Sequence, residues 1–439
     1  MAPRRSEWNW VDYTALINLN PEGIEMDSNQ IFTLGLGLTP PWKLIDQQLN
    51  LKKNPHELHL RLQADRGSLF PCPECGKMCK AHDFKDFTWR HLNFFQHHCF
   101  LTAPVPRTNC DEHGIKRIHV PWAREGSHFT LLFEQVAMTL VREMPVLAAA
   151  RIIEITDQRL WRIVAYYVQQ SLQGIDLSSL EAIALDETAS KRGHNYVTIF
   201  LDLERTSKPV IFATPGKGKE TVALFKEFLE KQGGAPENIV EVVCDMSKAF
   251  LAATEETFPN SHVTVDWFHV VQLFTKATDE VRRAEAKDYK MPSGSRWAIL
   301  KAADGKLTDE QVDAIAELEV AGLHTAKAWR VKEMLRWINK APSLRGAKWR
   351  MTYFINYARE FVKDIPVLSP VSKALDTVER HKHRILRRWR STYTNARLEG
   401  LNSLFQAARS RARGYRNTAN FITMIYLIAA PLANIIKST

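Results

Sequence analysis

Residues 181–203 read EAIALDETASKRGHNYVTIFLDL. Ala182–Leu185 is a short apolar run closed by Asp186, and Val197–Leu203 is a second run beyond a turn-forming segment. Short apolar runs bounded by turn formers read as buried strands, and a polar residue closing one stands at the strand end. Val210–Ala213, Ile239–Cys244 and His262–Val265 repeat the pattern. Between the third and fourth runs, Thr221–Lys231 has helical spacing and stops at Gly233-Gly234. The order strand, strand, strand, helix, strand, helix, strand predicts an α/β sheet opening with an antiparallel meander. In a sheet that starts with a meander and then crosses over, the first and fourth strands can lie side by side. Asp186 and Asp245 each follow an apolar run. They then emerge from neighbouring strand ends, within reach of shared divalent ions. Paired hard oxygen donors suit Mg²⁺ and phosphodiester chemistry.

Outward toward the C-terminus, residues 269–394 read as almost wholly helical, with many charges and little strand signal. A third acid stands out beyond them. From Arg380 to Arg416 there are eleven Lys or Arg, and Glu399 is the single acid. A solvated face normally mixes signs. One carboxylate inside a cationic run suggests a metal ligand beside a phosphate-gripping surface, whereas the plainer reading is a basic helix with an incidental Glu. Leu398, Leu401, Leu404 and Phe405 would anchor the apolar side of that helix. Asp202, Glu204 and Glu187 are rival acids; strand alternation turns Glu187 away from its neighbour Asp186. Asp266 and His269, after the last strand, support either a metal site or an ordinary strand-to-helix turn.

Outward toward the N-terminus, three helices follow one another. Leu132 to Val141 has helical spacing, Pro145 marks a break, and Thr156 caps a helix running toward Val168. The last pair reads as a helix-turn-helix or as a plain helical subdomain. In the first case Gln158, Arg159 and Arg162 face DNA. Five of the six cysteines lie between Cys72 and Cys110. Cys72-Pro-Glu-Cys75-Gly and Cys110-Asp-Glu-His113-Gly are two knuckles, each with two soft ligands three residues apart. They suit one closed, tetrahedral, structural zinc. An alternative second pair would include Cys79 or Cys99. Glu57–Leu62 alternates as a strand, and residues 71–126 read as a β-rich module held by metal rather than by a core.

The chain has 439 residues, 45% apolar and 25% charged, so a folded protein of several domains is expected. Its net charge of +10 favours a polyanionic partner. The start, MAPRRSEWNW, has no apolar export core, and Phe421–Ile436 is too short and broken for a membrane span. No membrane partner is expected.

Taken in order, CPECG with CDEHG, the helix-turn-helix region, ALDETASKRGHNY, VVCDMSKAF, VDWFHVVQ and NARLEGLNSLFQAARSRARGYRN resemble the ISL-three family of bacterial insertion-sequence transposases. The likeness runs from about residue 40 to the C-terminus. It implies a multidomain α+β protein with a zinc module, a helix-turn-helix and a ribonuclease-H-like core split by an all-α insertion. The implied division is 1–70 mixed, 71–126 zinc-binding, 127–175 helix-turn-helix, 176–268 first core part, 269–394 insertion and 395–439 final core helices. The implied catalytic acids are Asp186, Asp245 and Glu399, holding two Mg²⁺ (or Mn²⁺) ions, with Asp266 and His269 as the D-x-x-H feature in support. The implied structural Zn²⁺ sits on Cys72, Cys75, Cys110 and His113. DNA contacts fall to Gln158, Arg159, Arg162, Arg397, Arg409, Arg411, Arg413 and Arg416. The implied partners are terminal inverted repeats, target DNA and a second copy of the chain, in the bacterial nucleoid. Two other classes fit the same residues: a sequence-specific DNA-binding regulator with an inactive core, and a metal-dependent nuclease. The intact acid set argues against the regulator.

Overall fold

The computed structural model describes residues 27–191, 193, 195–301, 307–391, 393 and 396–431, without the side chains of 396, 397 and 399. The chain forms two compact units, one up to Val164 and one from Ala165.

The first unit opens with α1 (Ser28–Gly35), whose Asp27 cap accepts from Gln30 N at 2.7 Å. Six strands follow: β1 (Trp42–Asn50), β2 (Glu57–Ala64), β3 (Leu69–Pro71), β4 (Met78–Phe94), β5 (His97–Cys110) and β6 (Gly114–Arg117). They form one sheet in the order β1-β2-β5-β4-β3, with β6 on the far part of β5. The predicted alternation in β2 is real: Leu58, Leu60 and Leu62 are buried together. The expectation that residues 71–126 lack a core is wrong. Trp89, Leu101, Ala103, Val105 and Trp122 pack with Trp42 and the β2 leucines. The sheet also crosses the division expected at residue 70, because β2 pairs in parallel with β5 (Leu60 opposite Leu101). Nothing local in either strand encodes that long-range pairing.

Three helices close this part of the chain: α2 (Leu131–Glu143), α3 (Val146–Ile152) and α4 (Asp157–Gln173). Thr130 caps α2, and the Thr156 hydroxyl accepts from Arg159 N at 3.4 Å at the start of α4. The turn between α3 and α4 is reversed at Glu154, with φ +55°. The boundary between the two units falls inside α4.

The second unit is built on β7 (Ala182–Ala189), β8 (Tyr196–Asp202), β9 (Val210–Pro215), β10 (Glu241–Cys244) and β11 (His262–Val265). Their order is β11-β10-β7-β8-β9. The β7-β8-β9 meander is antiparallel, and β10 runs parallel to both β7 and β11. Between β9 and β10 lies α5 (Lys219–Lys231), and between β10 and β11 lies α6 (Lys248–Thr257). Ile183, Leu185, Val242 and Cys244 bury one face against Phe225, Leu229 and Phe250 of these helices. Among the described residues seven α-helices follow: α7 (Trp267–Glu285), α8 (Ser295–Leu300), α9 (Asp309–Val320), α10 (His324–Asn339), α11 (Leu344–Val362), α12 (Ser369–Arg380) and α13 (Lys382–Leu386). Most of them pack round Phe274, Leu335, Met351, Phe354 and Leu375, a core separate from that on the α5–α6 face. Finally α14 (Ala396–Arg411) and α15 (Thr418–Ala429) return to the sheet. Ala213 N of β9 donates to the Tyr426 hydroxyl of α15 at 2.7 Å.

Candidate active site and metal centre

Strand register brings the acids together. Glu241, Val242 and Val243 of β10 stand opposite Ala182, Ile183 and Ala184 of β7. Continued by two residues, that register sets Asp245 opposite Asp186. Likewise Val243 and Cys244 stand opposite Thr264 and Val265 of β11, which sets Asp266 beside Asp245. Asp266 N donates to Cys244 O at 3.1 Å, so the pairing persists to the strand end. Ile183, Leu185, Val242 and Cys244 turn toward α5 and α6. Alternation therefore sends Asp186 and Asp245 to the other face. Asp245 and Asp266 close β10 and β11 at their C-terminal ends, where α/β sheets commonly hold ligands. Asp186 stands beside them but inside β7, which runs on to Ala189 in its pairing with β8 and does not end before Asp186 as expected.

Each acid is fixed differently. Asp245 Oδ1 accepts from Ser247 N at 2.8 Å. Asp266 Oδ1 accepts from Phe268 N at 3.3 Å and caps α7, while its buried Oδ2 has no partner. His269, in the first turn of α7, holds Nε2 3.8 Å from Asp186 Oδ1. Burial pushes Asp186 up to about 6; His269 opposes that, and the charges of Asp245 and Asp266 add to it. Burial also raises Glu187 to about 7, with Asp245 and Asp186 adding to the rise and Lys217 opposing it. Glu187 thus feels both aspartates, although alternation sets it on the opposite side of the strand. Asp202 pairs with Ile183, at the other end of β7, and its carboxylate closes a turn with Glu204 N and Arg205.

The helix α14 docks on β7 through polar contacts. Asn402 Nδ2 donates to Asp186 Oδ2 at 3.0 Å. Gln406 Nε2 donates to Thr188 Oγ1 at 2.8 Å, and Arg409 Nη1 to Ala189 O at 2.5 Å. Leu398 and Phe405 are buried as expected, but Leu404 is 54% exposed and anchors nothing. The side chains of Glu399 and Arg397 lie outside the described residues. Position 399 precedes Asn402 by three residues on this helix, the spacing of neighbours on one face. Sequence reasoning misses Asn402; its i+3 offset from Glu399 is the signal that could have found it. Arg409, expected on DNA, is engaged by the Ala189 carbonyl. Arg411, Arg413 and Arg416 are exposed, as are Gln158, Arg159 and Arg162 on α4. The Arg159 guanidinium lies over the Phe129 ring, 4.9 Å from its centroid.

In the first unit, Cys72, Cys75, Cys110 and His113 converge, their ligand atoms all within 4.8 Å of one another. Cys75 Sγ is 3.7 Å from Cys110 Sγ, and His113 Nδ1 is 3.6 Å from Cys110 Sγ and 3.9 Å from Cys72 Sγ. Tetrahedral zinc, with bonds of about 2.3 Å to sulfur, spaces its ligands by about 3.8 Å, so the set fits the ion. Each knuckle turns on a left-handed glycine, Gly76 (φ +73°) and Gly114 (φ +67°). The alternative ligands do not join. Cys79 points its thiol at Lys77 O, and burial holds the Cys99 thiol up to about 12 within the sheet core.

Comparison with known proteins agrees with this architecture. The transposase family DDE_Tnp_ISL3 matches residues 183–425, more than half of the chain. The helix-turn-helix domain of transposase family ISL3 matches residues 118–168, and the zinc-finger of transposase IS204/IS1001/IS1096/IS1165 matches 68–113. The transposase for insertion sequence element IS1001 of Bordetella parapertussis is 26% identical over 81% of this chain and 87% of its own length. That for IS1557 of Mycobacterium tuberculosis (strain CDC 1551 / Oshkosh) is 25% identical over 82% and 85%. The chain belongs to the ISL3 family of insertion-sequence transposases, DNA-binding enzymes that cut DNA and transfer its strands. Its zinc-finger match coincides with the Cys₃His cluster, which supports structural zinc. No helix among the described residues is long and apolar enough to cross a membrane.

Proposed function

We propose that this transposase works through Asp186, Asp245 and Glu399 on a ribonuclease-H-like core, interrupted by helices α7–α13. The observation that carries the reading is the shared row of Asp186, Asp245 and Asp266 across three parallel strands, met by Asn402 of α14. The donor set fits a hard divalent cation. Buried carboxylates raise one another's proton affinity, and one buried Asp266 oxygen is unpartnered, which together mark missing positive charge. Asp186, Asp245 and Glu399 would hold Mg²⁺ or Mn²⁺, which when bound supplies charge neutralisation at the phosphodiester and a deprotonated oxygen nucleophile.

The chain's own residues do the remaining work. Asn402 holds one oxygen of Asp186 by a hydrogen bond, and His269 faces the other at 3.8 Å. Asp266 ties the start of α7 to the strand ends, so His269 is held in place by that cap. The exposed Arg411, Arg413 and Arg416 supply cations beside the helix bearing Glu399, offsetting the repulsion between three carboxylates and a phosphodiester. Gln158, Arg159 and Arg162 at the front of α4 would read the terminal inverted repeats. Joining two ends calls for a dimer or larger assembly on DNA, and the working place is the nucleoid.

The test uses a supercoiled plasmid carrying the gene with its native flanks, incubated with purified protein and Mg²⁺. Breaks and joined strands at repeats bounding the gene are expected. Asp186→Asn, Asp245→Asn and Glu399→Gln should each remove them, by at least a thousandfold. Cleavage that persists in Glu399→Gln would remove that residue from the active site. Cleavage without joined products would make the chain a nuclease only.

A further inference from the structure

The outer face of α11 is unlike that of a solvated helix. One side of α11, with Met351, Phe354, Ile355 and Ala358, is buried in the helical core. The opposite side would ordinarily carry mixed charges. It carries instead an aromatic file at i, i+4 spacing: Trp349 is 62% exposed, Tyr353 49% and Tyr357 44%, and half-buried Phe361 ends it. The rings run nearly parallel, with centroids 5.9, 6.0 and 5.6 Å apart and interplanar angles of 24°, 10° and 16°. Twelve residues of helix give the file a length of about 18 Å. Trp337 of α10 meets both Trp349 and Tyr353 edge-on and props the start of the file.

Cations flank the three exposed rings, and the helix's single acid, Glu360, comes after them. From Leu344 to Tyr357 the helix holds Arg345, Lys348 and Arg350 and no carboxylate. Lys382 joins them by donating to Thr352 Oγ1 at 2.7 Å. Exposed aromatic rings flanked by cations are how proteins hold unpaired nucleic-acid strands: rings stack on bases while cations follow the phosphates.

We infer that the Trp349–Tyr353–Tyr357 file on α11 binds single-stranded DNA. The inference rests on the transposase reading for the source of that strand, which is DNA opened beside the cleavage site. Binding itself is independent of catalysis and is tested apart from it.

The experiment measures fluorescence anisotropy of a labelled 20-residue oligothymidylate with the full-length, zinc-loaded protein and no Mg²⁺. The triple variant Trp349→Ala/Tyr353→Ala/Tyr357→Ala should bind at least tenfold more weakly. Tyr353→Phe/Tyr357→Phe, which keeps the rings, should bind within twofold of the parent. Binding of a duplex carrying the element's end should be unaffected. If the triple variant does not fold, Trp349→Ala alone decides, with a loss of at least threefold expected. Unchanged affinity in a folded variant overturns the inference. So does a variant whose mass in solution drops while its oligothymidylate affinity holds, since the file would then join two copies. Plasmid cleavage by the parent reports on the transposase chemistry separately, so neither failure is mistaken for the other.

Discussion

At the scale of one residue, Asp186 exposes a conflict between function and stability. Its carboxyl is mostly buried and is pushed up to about 6 from an ordinary 3.8. An acid with a raised folded pKa binds more protons folded than unfolded. Its cost to stability is therefore absent below about pH 4, grows as pH rises through 6, and is full at pH 7. A shift of that size corresponds to about 3 kcal/mol at most. Asp186→Asn removes the charge while keeping the shape and the hydrogen bond with Asn402. In zinc-loaded protein without Mg²⁺, the variant should melt several degrees higher than the parent at pH 7.5 and higher by only about a third of that margin at pH 4.5. Adding Mg²⁺ should raise the parent's melting temperature and leave the variant's unchanged. Calorimetry at the two pH values checks both, and equal melting at pH 7.5 would show that the site's charge is already relieved by the fold.

At the scale of elements, the arginines in and after α14 share the electrostatic work unequally. Arg409 is committed to the Ala189 carbonyl of β7, whereas Arg411, Arg413 and Arg416 stand exposed. Replacing the last three with Ala should weaken DNA binding and shallow the dependence of log K on log salt by roughly one unit for each phosphate no longer neutralised. Arg409→Ala should leave that slope nearly intact and lower the melting temperature instead. Titrations at several salt concentrations separate the two outcomes. The same contrast marks what is legible in the sequence. The apolar runs of β7–β11 and the metal knuckles are local patterns, and each is visible because a few neighbouring residues suffice to define it. The pairing of Asp186 with Asp245 is visible because strand order constrains it. The place of Asp266 in the same row is not, because it depends on the parallel register of β11 against β10. The docking of Asn402 and Arg409 is hidden too, since their partners on β7 lie more than two hundred positions away. Leu404 resembles core in the sequence because a helix face drawn there gives no account of where the sheet ends. The joining of β2 to β5 is hidden for the same reason: both strands have the right alternation, and nothing in either names the other.

At the scale of the molecule, zinc and apolar packing support different parts of the first unit. Buried Cys72, Cys79 and Cys110 form a small cluster of their own, apart from the core that joins Trp42, Leu60, Trp89, Leu101 and Trp122. The ion therefore ties the β3–β4 turn to the β5–β6 turn, while the sheet beneath keeps its own hydrophobic support. Cys75→Ser should leave the Cys₃His set with a hydroxyl in place of one thiolate and reduce the bound zinc. Hydrogen exchange read by mass spectrometry should then speed up at Phe70–Cys79 and Cys110–Arg117. Amides of β2, the middle of β5 and the whole β7–β11 sheet should keep their protection, because none of their packing passes through the metal. Fast exchange throughout β1–β6 would mean that zinc holds the entire sheet together. Fast exchange confined to the tip would make the zinc knuckles a local clamp, whose loss alters the surface they present without unfolding the helices that follow.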